Sequence, residues 1–258
     1  MRFQVIIPAR RQATRLPDKP LLELAGRPLI AHVIARAQAS RAEAVIVATD
    51  DAAIARAASS AGAEVVMTRA DHPSGTDRLA EVVVLRKLPD DLVIVNVQGD
   101  EPLMPPTLID AVAELLARAP EAAAASVCTP IHTRAEWLDP NAVKVVMNTA
   151  GDALYFSRAP IPYWRDAPAD LPDPHTAQAT GAFRHLGLYA YRAGWLRQYP
   201  DLLRPPMEVL ECLEQLRILA AGGRIRMHVA REAPPAGVDT PADLERVRAV
   251  LEAQLAGL

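Results

Sequence analysis

Phe3-Gln4-Val5-Ile6-Ile7-Pro8-Ala9 runs straight into Arg10-Arg11-Gln12-Ala13-Thr14-Arg15-Leu16-Pro17-Asp18-Lys19-Pro20, and the fold is decided there. Val5, Ile6 and Ile7 form a short β-branched apolar run, so 3–9 reads as a buried strand. The loop after it carries Arg10, Arg11, Arg15 and Lys19. A first strand emptying into a loop at the carboxyl end of an α/β sheet is where such folds bind ligands. Four positive charges in that loop suit a polyanion, most simply a triphosphate. The loop has neither G-x-x-x-x-G-K-[ST] nor G-x-G-x-x-G. Phosphates would then be held by side chains rather than by a glycine cradle.

Outward from this loop, strands and helices alternate. Leu29, Ile30, Val33, Ile34 and Ala37 recur at helical spacing, which predicts a helix over 28–41. Strands are expected at 44–48, 64–67 and 92–97. Helices should run from Asp51 to near Gly62, over 76–87 with Ser74 or Thr76 as cap, and from Pro105 or Pro106 to Arg118. Short links between them argue for a mainly parallel sheet covered on both faces. After Ala119 the pattern loosens. A hairpin is expected at 142–147 and 153–157, strands at 186–191 and 225–229, and helices at 207–221 and 241–255. The stretch 165–180, rich in Pro and Asp, reads as a surface loop. The expected fold is α/β: one nucleotide-binding domain over 1–258 with a smaller α+β insertion at about 125–210.

Composition narrows the partners. The 258 residues are 50% hydrophobic and 23% charged, ordinary for a soluble globular chain. A net charge of −3 gives no global field toward nucleic acid or a membrane surface. No apolar stretch approaches a membrane span, and no signal-peptide core stands at the N-terminus. Cys128 and Cys212 lie far apart without metal-like spacing and read as reduced thiols of a cytoplasmic protein.

Four later segments carry chemistry. Asp100 and Glu101 follow the strand at 92–97, across from the cationic loop, where a carboxylate suits Mg²⁺ beside phosphates. Asp100 is the better ligand candidate, and the alternative is a loop with a helix cap. Gln98 offers a donor and an acceptor to a base edge. Ser74 and Gly75 open a helix and suit a nucleotide or a plain cap, and His72 reads as a hydrogen-bonded loop residue. Asp239 supplies either a second metal carboxylate or the cap of the last helix. His185, Gly187, Tyr189 and Tyr191 alternate onto one strand face, and Glu211, Glu214 and Gln215 share a face of the helix at 207–221. Together these groups suit sugar hydroxyls, or else form a solvated face above core aromatics.

The segments resemble one known family when read in order. The opening loop, Met-Thr-Arg-Ala-Asp-His-x-Ser-Gly-Thr at 67–76, Val-Gln-Gly-Asp-Glu-Pro at 97–102, Arg-His-Leu-Gly-x-Tyr-x-Tyr-Arg at 184–192 and Gly-Val-Asp-Thr-Pro at 237–241 closely resemble the 3-deoxy-manno-octulosonate (KDO) cytidylyltransferases. The resemblance runs from about Phe3 to about Arg248 and takes in 141–146 and 153–158. It implies a Rossmann-like nucleotidyltransferase that moves CMP from CTP to KDO, releases pyrophosphate, uses Mg²⁺ and supplies lipopolysaccharide assembly. It implies a homodimer formed through 125–210. By position, Arg10, Arg15 and Lys19 would hold the triphosphate, with Ser74, Arg78 and Gln98 around the cytidine. Asp100 and Asp239 would bind magnesium and, with Arg10 and Lys19, form the catalytic set. Arg158, His185, Tyr189, Glu211, Glu214 and Gln215 would form the sugar pocket.

The chain departs from the family pattern at Asp18, where glycine is usual before the lysine, and at Arg11 and Gln12. A carboxylate there either weakens triphosphate binding or points away, and a side chain tolerates positive φ less well than glycine. Other readings are activation of another acidic sugar, such as 8-amino-KDO or a sialic acid, a non-catalytic nucleotide or sugar sensor, and a nicotinamide reductase. The reductase reading lacks the glycine fingerprint.

Overall fold

The computed structural model describes residues 1–11, 16–165 and 181–256. The expected loop at 165–180 lies outside the described residues except for Arg165. Strand β1 (Phe3–Ala9) sits at the centre of the sheet. It pairs in parallel with β4 (Val45–Thr49) on one side and β6 (Val93–Asn96) on the other. Two short strands, β2 (Glu23–Leu24) and β3 (Arg27–Pro28), form a separate hairpin. β5 (Glu64–Met67) extends the sheet beyond β4.

On the other flank, β10 (Phe183–Arg192) runs antiparallel between β6 and β7 (Ala124–Pro130). β11 (Ile225–Val229) pairs in parallel with β7. The hairpin of β8 (Lys144–Met147) and β9 (Ala153–Ser157) joins through β10. The sheet order is β11-β7-β10-β6-β1-β4-β5, and β10 is the one strand of this order that runs against its neighbours. The result is the expected α/β fold with a mostly parallel central sheet.

The alternation of β1 explains the layers. Phe3, Val5, Ile7 and Ala9 enter one apolar core with α1 (Leu29–Gln38), α4 (Pro106–Arg118) and the buried Val247 and Leu251 of α9 (Pro241–Ala256). Ile6 faces the opposite core, beneath α3 (Gly75–Leu85) and α6 (Ala193–Gln198). Each face of the sheet is therefore covered, as the continuous apolar runs require. α2 (Ala52–Ser60) packs along β4 and β5, and Asp51 caps it by accepting from the amides of Ala53 and Ile54.

Two expectations need correction. β7 is a fully internal strand that the sequence reading passed over. Its Ala-Ala-Ser-Val-Cys-Thr-Pro composition is poor in strand formers, and its place between β10 and β11 decides its conformation. The helix expected at 207–221 is two: α7 (Pro206–Glu211) and α8 (Leu216–Ala220). Cys212 ends α7 in the left-handed conformation at φ 51°. A buried ion pair explains the break. Arg217 meets Glu208 at 2.5 Å, but nine residues of continuous helix would separate them by about 13 Å along the axis. Consequently Glu211, Glu214 and Gln215 do not share a helix face: Glu211 ends α7, and the other two lie in the turn after it. A short helix, α5 (Arg134–Leu138), precedes the hairpin.

Candidate active site

The carboxyl ends of β1, β4, β5 and β6 point to one edge of the sheet, because these strands are parallel. Ligands bind at that edge in open α/β sheets. A cavity of about 450 Å³ lies there. Arg10 and Lys19 enter it from the loop after β1, Gln98 and Asp100 from the loop after β6, Ser74 and Arg78 from the start of α3, and Asp239 from the loop before α9. Arg15 lies outside the described residues.

Lys19 is the centre of this cavity's electrostatics. Its ammonium donates to Asp100 Oδ2 at 2.8 Å, to the Val238 carbonyl at 2.9 Å and to Asp239 Oδ1 at 3.0 Å. Burial works against its charge, but Asp100 and Asp239 outweigh it and hold the pKa above the usual lysine value. The loops that deliver the carboxylates are tied together. The Val238 amide donates to the Asp100 carbonyl at 2.9 Å, and a Cβ on Gly237 would stand 2.8 Å from that same carbonyl oxygen. Asp239 is free of capping duty, because Thr240 and Asp243 cap α9 between themselves. Burial, reinforced by Asp100 and Asp239, pushes the Glu101 carboxyl up to about 8.

Asp18 does adopt positive φ, 54°, at the position where the resembling family carries glycine. Its carboxylate turns to Arg11, whose Nε lies 2.5 Å away, and Lys19 is left to Asp100 and Asp239. Two of the departures from the family pattern thus neutralise each other.

Ser74 caps α3: its Oγ accepts from the Asp77 amide at 3.2 Å and donates to Asp77 Oδ2 at 2.5 Å. Arg78 is buried behind it, donating to Thr68 Oγ1 at 2.6 Å and paired with Asp50 at 3.2 Å. Burial and the neighbouring Arg10 lower the Arg78 pKa despite Asp50. His72 is a hydrogen-bonded loop histidine, 2.5 Å from Glu81.

A second cavity, of about 480 Å³, adjoins the first, and Ser74, Gly75 and Gln98 line both. His185, Tyr189, Glu214 and Gln215 line the second cavity together with Arg184, Arg204 and the Glu208–Arg217 pair. Gln215 Nε2 is buried and has no hydrogen-bond partner among the described residues, so a ligand acceptor would satisfy it. Burial raises the Glu214 carboxyl even though Ser74 and Thr76 bond to it.

Arg158 and Glu211 do not line either cavity. The Glu211 carboxylate accepts from Ser157 Oγ at 2.6 Å and the Arg158 amide at 2.8 Å, and Arg158 Nε donates to the Glu211 carbonyl at 2.7 Å. They bolt β9 to α7. Glu208 and Arg217 escaped the sequence reading because their pairing needs the helix break at Cys212. Arg184 stood within a quoted motif but not among the pocket residues.

His185 accepts or donates at Ser126 Oγ, 2.9 Å away, and packs edge-on to Phe156. Burial lowers its pKa to about 3. The folded protein therefore takes up this proton only at far lower pH than the unfolded chain, whose histidine titrates near 6.5. This contribution is complete above pH 6.5 and is lost as pH falls from about 6.5 toward 3. A His185→Gln variant is expected to lose less stability than wild type between pH 7.5 and 5, read as the shift in urea midpoint.

A mostly parallel sheet with convergent cationic and acidic loops at its carboxyl edge defines a nucleotide-handling protein. The chain belongs to the cytidylyltransferase family, whose sequence profile matches residues 4–225. More narrowly, it falls among the 3-deoxy-manno-octulosonate cytidylyltransferases. It is 56% identical to the protein of that name from Hahella chejuensis, over 96% of this chain and 97% of that one. It is 54% identical to the Nitrosococcus oceani protein of the same name, over 98% of both. Among solved structures it is similar to a CMP:2-keto-3-deoxy-manno-octonic acid synthetase complexed with CTP, with a TM-score of 0.88 and 42% identity, covering 98% of this chain and 100% of that one. A cytidylyltransferase from Leptospira borgpetersenii shares the fold alone, at a TM-score of 0.63 and 16% identity.

Proposed function

We propose that this protein transfers CMP from CTP to KDO and releases pyrophosphate, activating the sugar for lipopolysaccharide assembly. The observation that carries the residue roles is the pair of adjoining cavities. One holds Arg10, Lys19, Asp100 and Asp239, the other His185, Tyr189, Glu214 and Gln215. CTP takes the first, with its triphosphate against Arg10, Arg15 and Lys19 and its cytidine against Ser74, Arg78 and Gln98. KDO takes the second, whose wall Arg158 and Glu211 brace from behind. Ser74, Gly75 and Gln98 stand at the junction, so the two substrates meet there.

The anomeric hydroxyl of KDO attacks the α-phosphorus in line. A new O–P bond forms as the hydroxyl proton passes to solvent water, the bond from the α-phosphorus to the bridging oxygen breaks, and pyrophosphate leaves. The chain contributes chiefly position and charge. Arg10 and Lys19 neutralise the phosphate oxygens, and the buried amide of Gln215 fixes a sugar hydroxyl. No side chain is assigned as general base. Asp100 and Asp239 suit Mg²⁺: two carboxylate oxygens and the Val238 carbonyl already converge on one cationic centre, the Lys19 ammonium. Hard oxygen ligands few in number fit an ion that keeps water and phosphate as its other ligands. Held by Asp100 and Asp239, magnesium would lower the pKa of the attacking hydroxyl and would stabilise the charge of the departing pyrophosphate.

Substrate competition tests the sugar. With CTP and Mg²⁺, phosphorus NMR is expected to show CMP-KDO as the main product when KDO, 8-amino-KDO and a sialic acid are offered together. Preference for either competitor would reassign the sugar, and CTP binding without turnover of any would revive the sensor reading.

The active form is a homodimer joined through 125–210, and apolar side chains available for it include Leu154 and Tyr163 within that stretch. Light scattering should give about twice the 27.9 kDa chain mass, and a monomer at working concentration would contradict this. The protein works in the cytoplasm. Both cysteines are free, and no helix among the described residues is long and apolar enough to cross a membrane.

A further inference from the structure

We propose that Lys19 is a resident stand-in for the divalent cation, which must displace its ammonium from between Asp100 and Asp239 before the metal can bind. The inference rests on the assignment of these carboxylates to the metal. Three oxygens from two separate loops surround Nζ at 2.8, 2.9 and 3.0 Å. All three accept and none donates, which is the arrangement a hard cation requires. The backbone that carries these oxygens is held in place without the lysine. The Val238 amide binds the Asp100 carbonyl, and Gly237 permits a backbone approach that a Cβ would obstruct at 2.8 Å.

The ammonium is the movable member of this group. It rides on a flexible four-carbon stem with three rotatable donors. Its side chain is only 14% exposed, while that of Asp239 is 66% exposed, so the clasp opens to solvent on the Asp239 side. Two cations cannot share these oxygens, because their repulsion at such spacing is large. Lys19 thus offsets one of the two neighbouring negative charges and fills the space between the carboxylates, which keeps them from capturing a metal on their own. When the cation arrives with the triphosphate, the displaced ammonium has phosphate oxygens to turn to within the same cavity, which it already lines. Cation binding becomes conditional on nucleotide, and the lysine serves both states.

The test is Mn²⁺ binding followed by the EPR signal of the free ion, on the whole chain without nucleotide. Lys19→Met is expected to bind one Mn²⁺ at least about tenfold more tightly than wild type, since a positive charge has left the site. Lys19→Gln should do the same, and circular dichroism checks that both fold. Adding CTP should tighten the ion on wild type far more than on either variant. Adding Asp100→Asn and Asp239→Asn to Lys19→Met should abolish the gain. Equal Mn²⁺ affinity in wild type and both lysine variants, with binding still dependent on the carboxylates, would overturn the stand-in role alone. Tight binding that survives loss of both carboxylates would overturn the metal assignment beneath it.

Discussion

Pyrophosphate release by an Asp100→Ala variant is expected to fall by about a hundredfold to a thousandfold, the scale on which a transition-state charge contact is lost. The fall should lie in turnover, because the proposed triphosphate contacts of Arg10 and Arg15 do not involve Asp100. Misfolding would not explain it. The Asp100 backbone is fixed by its carbonyl bond from Val238, which alanine keeps. The lost pair with Lys19 is partly exposed, 34% on the Asp100 side, so the stability cost should stay within about 1 kcal/mol. Asp100→Asn keeps the shape but not the charge, and it should fall almost as far. A magnesium titration of pyrophosphate release checks both variants. An asparagine variant with wild-type turnover would show that the carboxylate charge is not what the reaction uses.

The largest stability effect is expected at Arg217. Its guanidinium meets Glu208 through bonds of 2.8 and 2.5 Å, lies 3.7 Å from Asp77 and stacks 4.3 Å over the Tyr199 ring. The Arg217 and Glu208 side chains are 5% and 3% exposed. Arg217→Met leaves Asp77 buried without its ion-pair partner and Glu208 with only the half-exposed Arg204 at 3.1 Å, which costs about 3–5 kcal/mol. In a chain of this size that is a fall in melting temperature of about 10 °C. The double variant Glu208→Leu, Arg217→Met should recover much of the loss, since the cost is mainly that of a stranded charge. Calorimetry of the three variants measures it. The helix break at Cys212 depends on the same pair, so Arg217→Met should also weaken sugar binding through the displaced Glu214 and Gln215.

How much of this was legible in the sequence follows the range of the interactions. β1 and β5 were readable to the residue, because an apolar run bounded by loop residues is a local signal. The cap of α3 was legible down to Ser74 or Thr76, and the structure selects Ser74. β7 was not, because Ala124, Ala125 and Ser126 carry no strand preference and become strand only between β10 and β11. The break between α7 and α8 was hidden because it is enforced by a pair nine residues apart. At the site, the residue types were visible but the clasp was not: Lys19 and Asp239 are 220 positions apart, and only the fold brings their charges together. Asp18 was visible as a departure, but its partner Arg11 emerged only with the loop geometry.

The most direct test of the central claim is pyrophosphate release by the wild-type protein given CTP, Mg²⁺ and KDO. Release of one pyrophosphate for each CMP-KDO formed, and none when KDO is omitted, is the predicted result. Absence of release with KDO at any magnesium concentration, from protein that is folded and binds CTP, would contradict it.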